Sequence, residues 1–146
     1  MGAFKRLRNK HKEQVANALR HLGLAGFEKR MIATLSGGQM QRVLFARLLV
    51  QQANLILLDE PFTGVDSKTT HDLLHLIQHW HQQGKTIIAV LHDLEQVKSH
   101  FQHCLLLSRE PIAFGETATV LTEDNWNRAR QLNEAFDENA VYCGAH

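Results

Sequence analysis

Leu55-Ile56-Leu57-Leu58-Asp59-Glu60-Pro61 is the stretch on which the fold turns. Four apolar residues run together, two acids follow, and a proline stops the run. So short an apolar run with that ending predicts a buried strand. Residues 86–91, Thr-Ile-Ile-Ala-Val-Leu, repeat the pattern and end in His92-Asp93. Between the two, residues 67–83 carry helical periodicity and close at Gly84, with Leu73, Ile77 and Trp80 on the core side. Strand, helix, strand predicts an α/β protein, a parallel sheet with flanking helices. In such sheets polar residues at the C-terminal strand ends line the ligand crevice. Asp59, Glu60 and His92 occupy those ends.

Outward from this centre the elements are simpler. Val15, Ala16, Ala18, Leu19 and Leu22 predict a helix over 13–22 that Gly23 ends. Residues 24–35 form an irregular connector, and Ser36 starts a second helix to about Gln52. Downstream, a short helix is expected over 93–100, two strands over 103–108 and 111–114 joined by a tight turn, a last helix over 123–136, and a weakly ordered tail. No internal repeat is visible.

The chain has 146 residues and a formal net charge of +1. That length suits one domain with a sizeable core. The near-neutral balance gives no electrostatic case for nucleic acid or an anionic membrane. The opening basic cluster, Lys5, Arg6, Arg8, Lys10 and Lys12, reads as a solvated helix face or loop. Cys104 lies in an apolar run and reads as a buried thiol, Cys143 lies in the tail, and no CxxC spacing occurs. This fits a reducing compartment. No apolar run approaches the roughly 18 residues of a membrane span, and the first residues lack a signal-peptide core. A cytoplasmic protein is expected.

Three stretches carry chemistry. In Leu35-Ser36-Gly37-Gly38-Gln39, Ser36 can cap the following helix, with Gln39 completing a capping box. Capping does not explain two glycines in the first turn, where each weakens the helix. Glycines there let an anion approach backbone N–H groups at the positive helix end. Both readings stand. The acids Asp59 and Glu60 either end a strand in solvent or act as in nucleotide hydrolases, one supporting Mg²⁺ and the other polarising the attacking water. His92 is either a structural histidine at a strand end or a donor to a terminal phosphate.

Their order is specific. A glycine-rich helix start precedes a long apolar helix, then the Asp-Glu strand, then Thr63-Gly64-Val65-Asp66, then the strand with His92. This order and spacing resemble the ATP-binding cassette (ABC) ATPases. Leu35–Gln39 matches that family's signature motif letter for letter, Leu55–Glu60 resembles its Walker B strand, Thr63–Asp66 its D-loop and His92 its switch histidine. The run Gln41–Leu49 and Ala89-Val90-Leu91-His92-Asp93-Leu94 resembles the branch that serves manganese, zinc and iron uptake. The likeness covers about residues 1–130.

The resemblance implies part of a P-loop NTPase fold. Residues 1–52 would belong to the helical subdomain with the signature helix, 53–122 to the Walker B, D-loop and switch-histidine part of the catalytic core, and 123–146 to a C-terminal helix and tail. It implies ATP and Mg²⁺ as cofactors. Asp59 would help hold Mg²⁺ through water, Glu60 would activate or position the attacking water, and His92 would contact the γ-phosphate. Ser36, Gly37, Gly38 and Gln39 would form the signature site for ATP held by a second subunit, and Asp66 would cross the dimer interface. The implied partners are a second ATPase subunit, paired head to tail, and a transmembrane permease, with no nucleic acid. The chain would lie in the cytoplasm, peripheral to the inner face of the cell membrane.

One departure governs the expected mechanism. The family's Gly-x-x-x-x-Gly-Lys-[Ser/Thr] loop, whose N–H groups and Lys cradle phosphate, occurs nowhere in the sequence. The adenine-stacking aromatic and the glutamine loop are not recognisable either. Residue 1 is expected to fall inside the helical subdomain, so the chain reads as a truncated form that does not hold ATP by itself. By family analogy the P-loop strand lies beside 86–91. Without it that strand has an unpaired edge, an aggregation hazard.

Ten histidines are unusual at this length. His71, His75 and His79 fall at i, i+4 and i+8 and form one stripe opposite Leu73, Ile77 and Trp80, with His81 nearby. The stripe reads as a solvated face or as a chelating surface for Zn²⁺ or Ni²⁺. Cys143 and His146 offer a looser metal site in the tail. The leading function is the ATP-hydrolysing subunit of a metal-ion importer, in truncated form. The alternatives are a non-catalytic partner of an intact ATPase, a His-rich metal-binding module, and a transporter-free ABC ATPase of DNA repair or translation, against which the even charge argues.

Overall fold

A computed structural model describes the backbone of residues 2–137 and the side chains of residues 10–132. The chain divides into two compact units, Met1–Val90 and Leu91–His146.

In the first unit, α1 (Gly2–His21) packs against α2 (Gly37–Gln51). Helix α1 starts well before the expected residue 13. No proline or glycine interrupts residues 3–20, and lysine, arginine and alanine are good helix formers. Gly23, at φ 71°, ends it as expected. A 3₁₀ turn, Ile32–Thr34, lies in the connector. Strand β1 (Leu55–Asp59) leads through a loop to α3 (Ser67–Gln82), which packs on β2 (Thr86–Val90). Beyond α3, Gly84 adopts φ 86°, a left-handed turn that favours glycine. The core holds Leu19, Leu22, Phe45, Leu73, Ile77 and Trp80, and the Phe45 and Trp80 rings stack at 5.7 Å.

The parallel pairing is as expected, with Leu55 opposite Thr86 through Asp59 opposite Val90. The expectation of fully buried strands is corrected on one face. Ile56 and Leu58 are buried, in register with half-buried Ile87 and Ala89. On the other face Leu55, Leu57, Ile88 and Val90 are 53%, 67%, 56% and 51% exposed. Among the described residues this sheet has two strands, and each of these four residues keeps more than half of its surface open. An apolar run in parallel strands anticipates two covers, and the described residues supply one.

The second unit opens with α4 (Leu94–His100), whose N-cap Asp93 accepts from the N–H groups of Glu95 and Gln96. Strands β3 (His103–Leu107) and β4 (Pro111–Glu116) pair antiparallel across the expected tight turn. The three-residue span between the strands is too short for the crossover that parallel pairing needs. A single turn, α5 (Thr117–Val120), which the sequence reading missed, precedes α6 (Glu123–Asp137). Leu106, Ile112, Val120 and Ala129 form the core, with Cys104 packed against it half-buried rather than fully buried. Among the described residues no helix is long and apolar enough to cross a membrane.

Candidate functional site

The N-terminus of α2 is a complete capping box. Ser36 Oγ accepts from the Gln39 N–H at 3.2 Å, and Gln39 Oε1 accepts from the Ser36 N–H at 3.1 Å. These bonds leave the N–H groups of Gly37 and Gly38, in the first turn, outside the box. The turn is exposed or half-buried throughout.

The two glycines have a packing reason. A Cβ on Gly37 would lie 3.2 Å from the Gly64 carbonyl oxygen. One on Gly38 would lie 3.0 Å from Asp66 Oδ2 and 3.3 Å from Thr69 Oγ1. The missing side chains let the start of α2 meet the loop between β1 and α3. The structure thus brings Ser36–Gln39 and Thr63–Asp66 together, though they lie far apart in sequence. Asp66 is the N-cap of α3, accepting from the Thr69 N–H at 2.9 Å. That backbone bond, then the Thr69 hydroxyl, holds the Asp66 carboxyl below its ordinary pKa.

Arg42, which lies within the run Gln41–Leu49, fixes this junction. Its guanidinium donates to the Asp72 carboxylate at 2.7 Å, to Thr69 Oγ1 at 3.4 Å and to the Leu22 carbonyl at 3.3 Å. One side chain joins the end of α1, helix α2 and helix α3. Arg42 holds the Asp72 carboxyl below its ordinary pKa, chiefly through the direct bond. An arginine and an aspartate thirty residues apart leave no local sequence signal for such a contact.

Asp59 ends β1, and Glu60 follows it at φ 44°. Both are exposed. A left-handed conformation is unfavourable for glutamate by about 1–2 kcal/mol and is a common mark of functional sites. Neighbours hold it there. The Glu60 N–H donates to the Val90 carbonyl at 3.1 Å, and the Thr63 hydroxyl donates to Glu60 Oε2 at 3.2 Å. Adjacent hard oxygen ligands at a strand end suit Mg²⁺, and N–H groups at the start of α2 suit a phosphate oxygen. His92 belongs to the second unit, just before the cap of α4.

The histidine stripe is exposed as expected, and Leu73, Ile77 and Trp80 are buried. His71, His75 and His79 do not converge as a trio. The Nε2 atoms of His71 and His75 lie 3.1 Å apart, while His79 Nε2 meets the Gln83 side chain at 2.9 Å. Lys10 and Lys12 are exposed on α1, as a solvated face requires. The side chains of Lys5, Arg6 and Arg8, the tail and the Cys143–His146 site lie outside the described residues.

Residues 3–63 match the ABC transporter family. The chain is 41% identical over 132 residues to the manganese transport system ATP-binding protein MntB of Halalkalibacterium halodurans, covering 90% of this chain and 53% of that one. It is 40% identical over 129 residues to the zinc transport system ATP-binding protein TroB of Treponema pallidum, covering 88% and 48%. Among solved structures, an ABC transporter in an inward-facing conformation superposes with a TM-score of 0.75 at 33% identity, over 82% of this chain and 48% of that one. The ADP conformation of an ATP-binding cassette gives 0.71 at 26% identity, over 86% and 50%. The chain spans about half the length of the curated relatives it matches.

Proposed function

The chain belongs to the ABC transporter family of ATPases, and from that premise we propose that it supplies the signature turn and Walker B acids of an importer's ATP-hydrolysing subunit, with manganese, zinc or iron as cargo. The observation that carries this reading is the junction of Ser36–Gln39 with Thr63–Asp66, with a conformationally constrained Glu60 in the same loop. The cargo rests on the relatives, whose names specify manganese and zinc transport.

The roles follow from position and chemistry. Asp59 holds Mg²⁺ through water. Glu60 orients the attacking water and takes its proton, with Thr63 fixing the carboxylate. His92 donates to the γ-phosphate. Ser36, Gly37, Gly38 and Gln39 face the ATP of a second subunit paired head to tail, and Asp66 lies at that interface. Bound ATP with Mg²⁺ supplies the phosphoanhydride and the metal that neutralises its charge. The phosphate-binding loop comes from outside these 146 residues, in the same polypeptide or another. A transmembrane permease is the partner that places the chain at the inner face of the cell membrane. No role for nucleic acid follows from the charge.

The test is ATP binding and hydrolysis with Mg²⁺ across a range of protein concentrations. The 146-residue chain is expected to be inactive alone. It is expected to restore turnover to a P-loop-bearing family ATPase whose own signature turn is disabled, and Ser36→Arg should abolish that rescue. Turnover by this chain alone, lost in Glu60→Gln, would overturn the requirement for an outside loop.

A further inference from the structure

The i, i+4 spacing of His71 and His75 on α3 gives more than proximity. Their rings meet edge to face with centroids 4.3 Å apart, and their Nε2 atoms lie 3.1 Å apart. Both side chains are exposed. At a metal–imidazole distance of about 2.1 Å, that separation closes an N–metal–N angle of roughly 95°, close to the angle between adjacent ligands of an octahedral ion. The two nitrogens therefore stand within reach of one cation without a change of backbone.

We propose that His71 and His75 form a two-imidazole chelate for a divalent transition-metal ion of the nickel, copper or zinc class, water completing its coordination. Imidazole favours these ions over Mn²⁺, so the site is distinct from any handling of manganese as cargo. His79 takes no part, because its Nε2 lies against the Gln83 side chain at 2.9 Å and not beside a second imidazole nitrogen. Asp72, next along the helix, is engaged by Arg42 at 2.7 Å. No cluster of three or more His, Cys, Asp or Glu suited to a metal occurs among the described residues, so the site is bidentate and exchangeable. The proposal rests on α3 alone and is independent of the ATPase reading.

The test is titration of the chelator-treated chain with Ni²⁺, followed by calorimetry and by the imidazole resonances of ¹⁵N-histidine-labelled protein. His71 and His75 signals should broaden first. The second imidazole makes binding intramolecular, so His71→Ala or His75→Ala should each weaken that site at least about tenfold, while His79→Ala leaves it unchanged. Mn²⁺ should bind more weakly than Ni²⁺. Undiminished affinity in the double variant, an equal loss in His79→Ala, or a loss with only one of the two histidines would each overturn the chelate. The resonance readout keeps the result specific if histidines elsewhere also bind Ni²⁺.

Discussion

Replacing Leu57 by threonine should matter far less to folding than its place in an apolar strand suggests. Leu57 is 67% exposed, so about a third of the side chain is buried. Full burial of a leucine contributes about 1.5–3 kcal/mol, so this site holds about 0.5–1 kcal/mol. Threonine also suits a strand, which offsets part of that loss. Leu73 provides the contrast, being 0% exposed. Leu73→Ala should cost about 2–5 kcal/mol, the transfer term plus the cavity. Urea unfolding followed by circular dichroism measures both, provided the slopes of free energy against denaturant agree. The same open face should drive self-association, so Leu57→Thr with Ile88→Thr should lower light scattering and raise the monomer fraction in size-exclusion chromatography. The reasoning fails if Leu57→Thr costs as much as Leu73→Ala at every protein concentration. Leu57 would then be buried within a single folded molecule. A large cost that shrinks on dilution would place the burial between molecules instead.

Further tests address the junction and the strand end. Gly37→Ala should destabilise despite alanine's helix preference, because its Cβ meets the Gly64 backbone oxygen at 3.2 Å. Paired urea curves against wild type give the sign. Ser36→Ala removes one arm of the capping box and should cost about 1 kcal/mol in the same assay. Glu60→Gly should be more stable than Glu60→Gln by up to about 1 kcal/mol, since both lose the carboxylate and only glycine relieves the left-handed backbone. The lowered Asp72 pKa gives a signed pH dependence. A depressed carboxyl stabilises the fold above its ordinary value of 3.8, and that contribution is lost as pH falls through the folded-state value. Thermal melts down this range should show a shallower acid loss in Asp72→Asn.

Sequence legibility followed the range of the interactions. Helix α2 and its cap were readable because Ser36 and Gln39 are three residues apart and satisfy each other. Helix α3 was readable because Leu73, Ile77 and Trp80 recur on one side and Gly84 ends it. The apolar letters of β1 and β2 located strands but could not say which faces are covered, since coverage depends on partners elsewhere. The β3–β4 hairpin was readable from two short apolar runs around a tight turn, whereas the turn at Thr117–Val120 was obscure. The four residues of α5 span barely one turn and show no periodicity. The Arg42–Asp72 bond was out of reach, because its partners belong to different helices.

The glycine pair was ambiguous in the sequence for a reason the structure makes concrete. Capping alone did not require Gly37 and Gly38, which kept an anion site open beside it. The structure adds a third cause: any side chain at either position would press on Gly64, Asp66 or Thr69. Packing alone therefore accounts for both glycines, and they cannot by themselves argue for phosphate. What packing does not account for is Glu60. A glycine would hold φ 44° with less strain, yet a carboxylate stands there, with the Thr63 hydroxyl bonded to it. Strain retained where a simpler residue would remove it is the stronger local argument for chemistry at this strand end. It also separates the two variants: Gly37→Ala should disturb the junction and the fold together, whereas Glu60→Gly should relax the backbone while removing the group assigned to the attacking water.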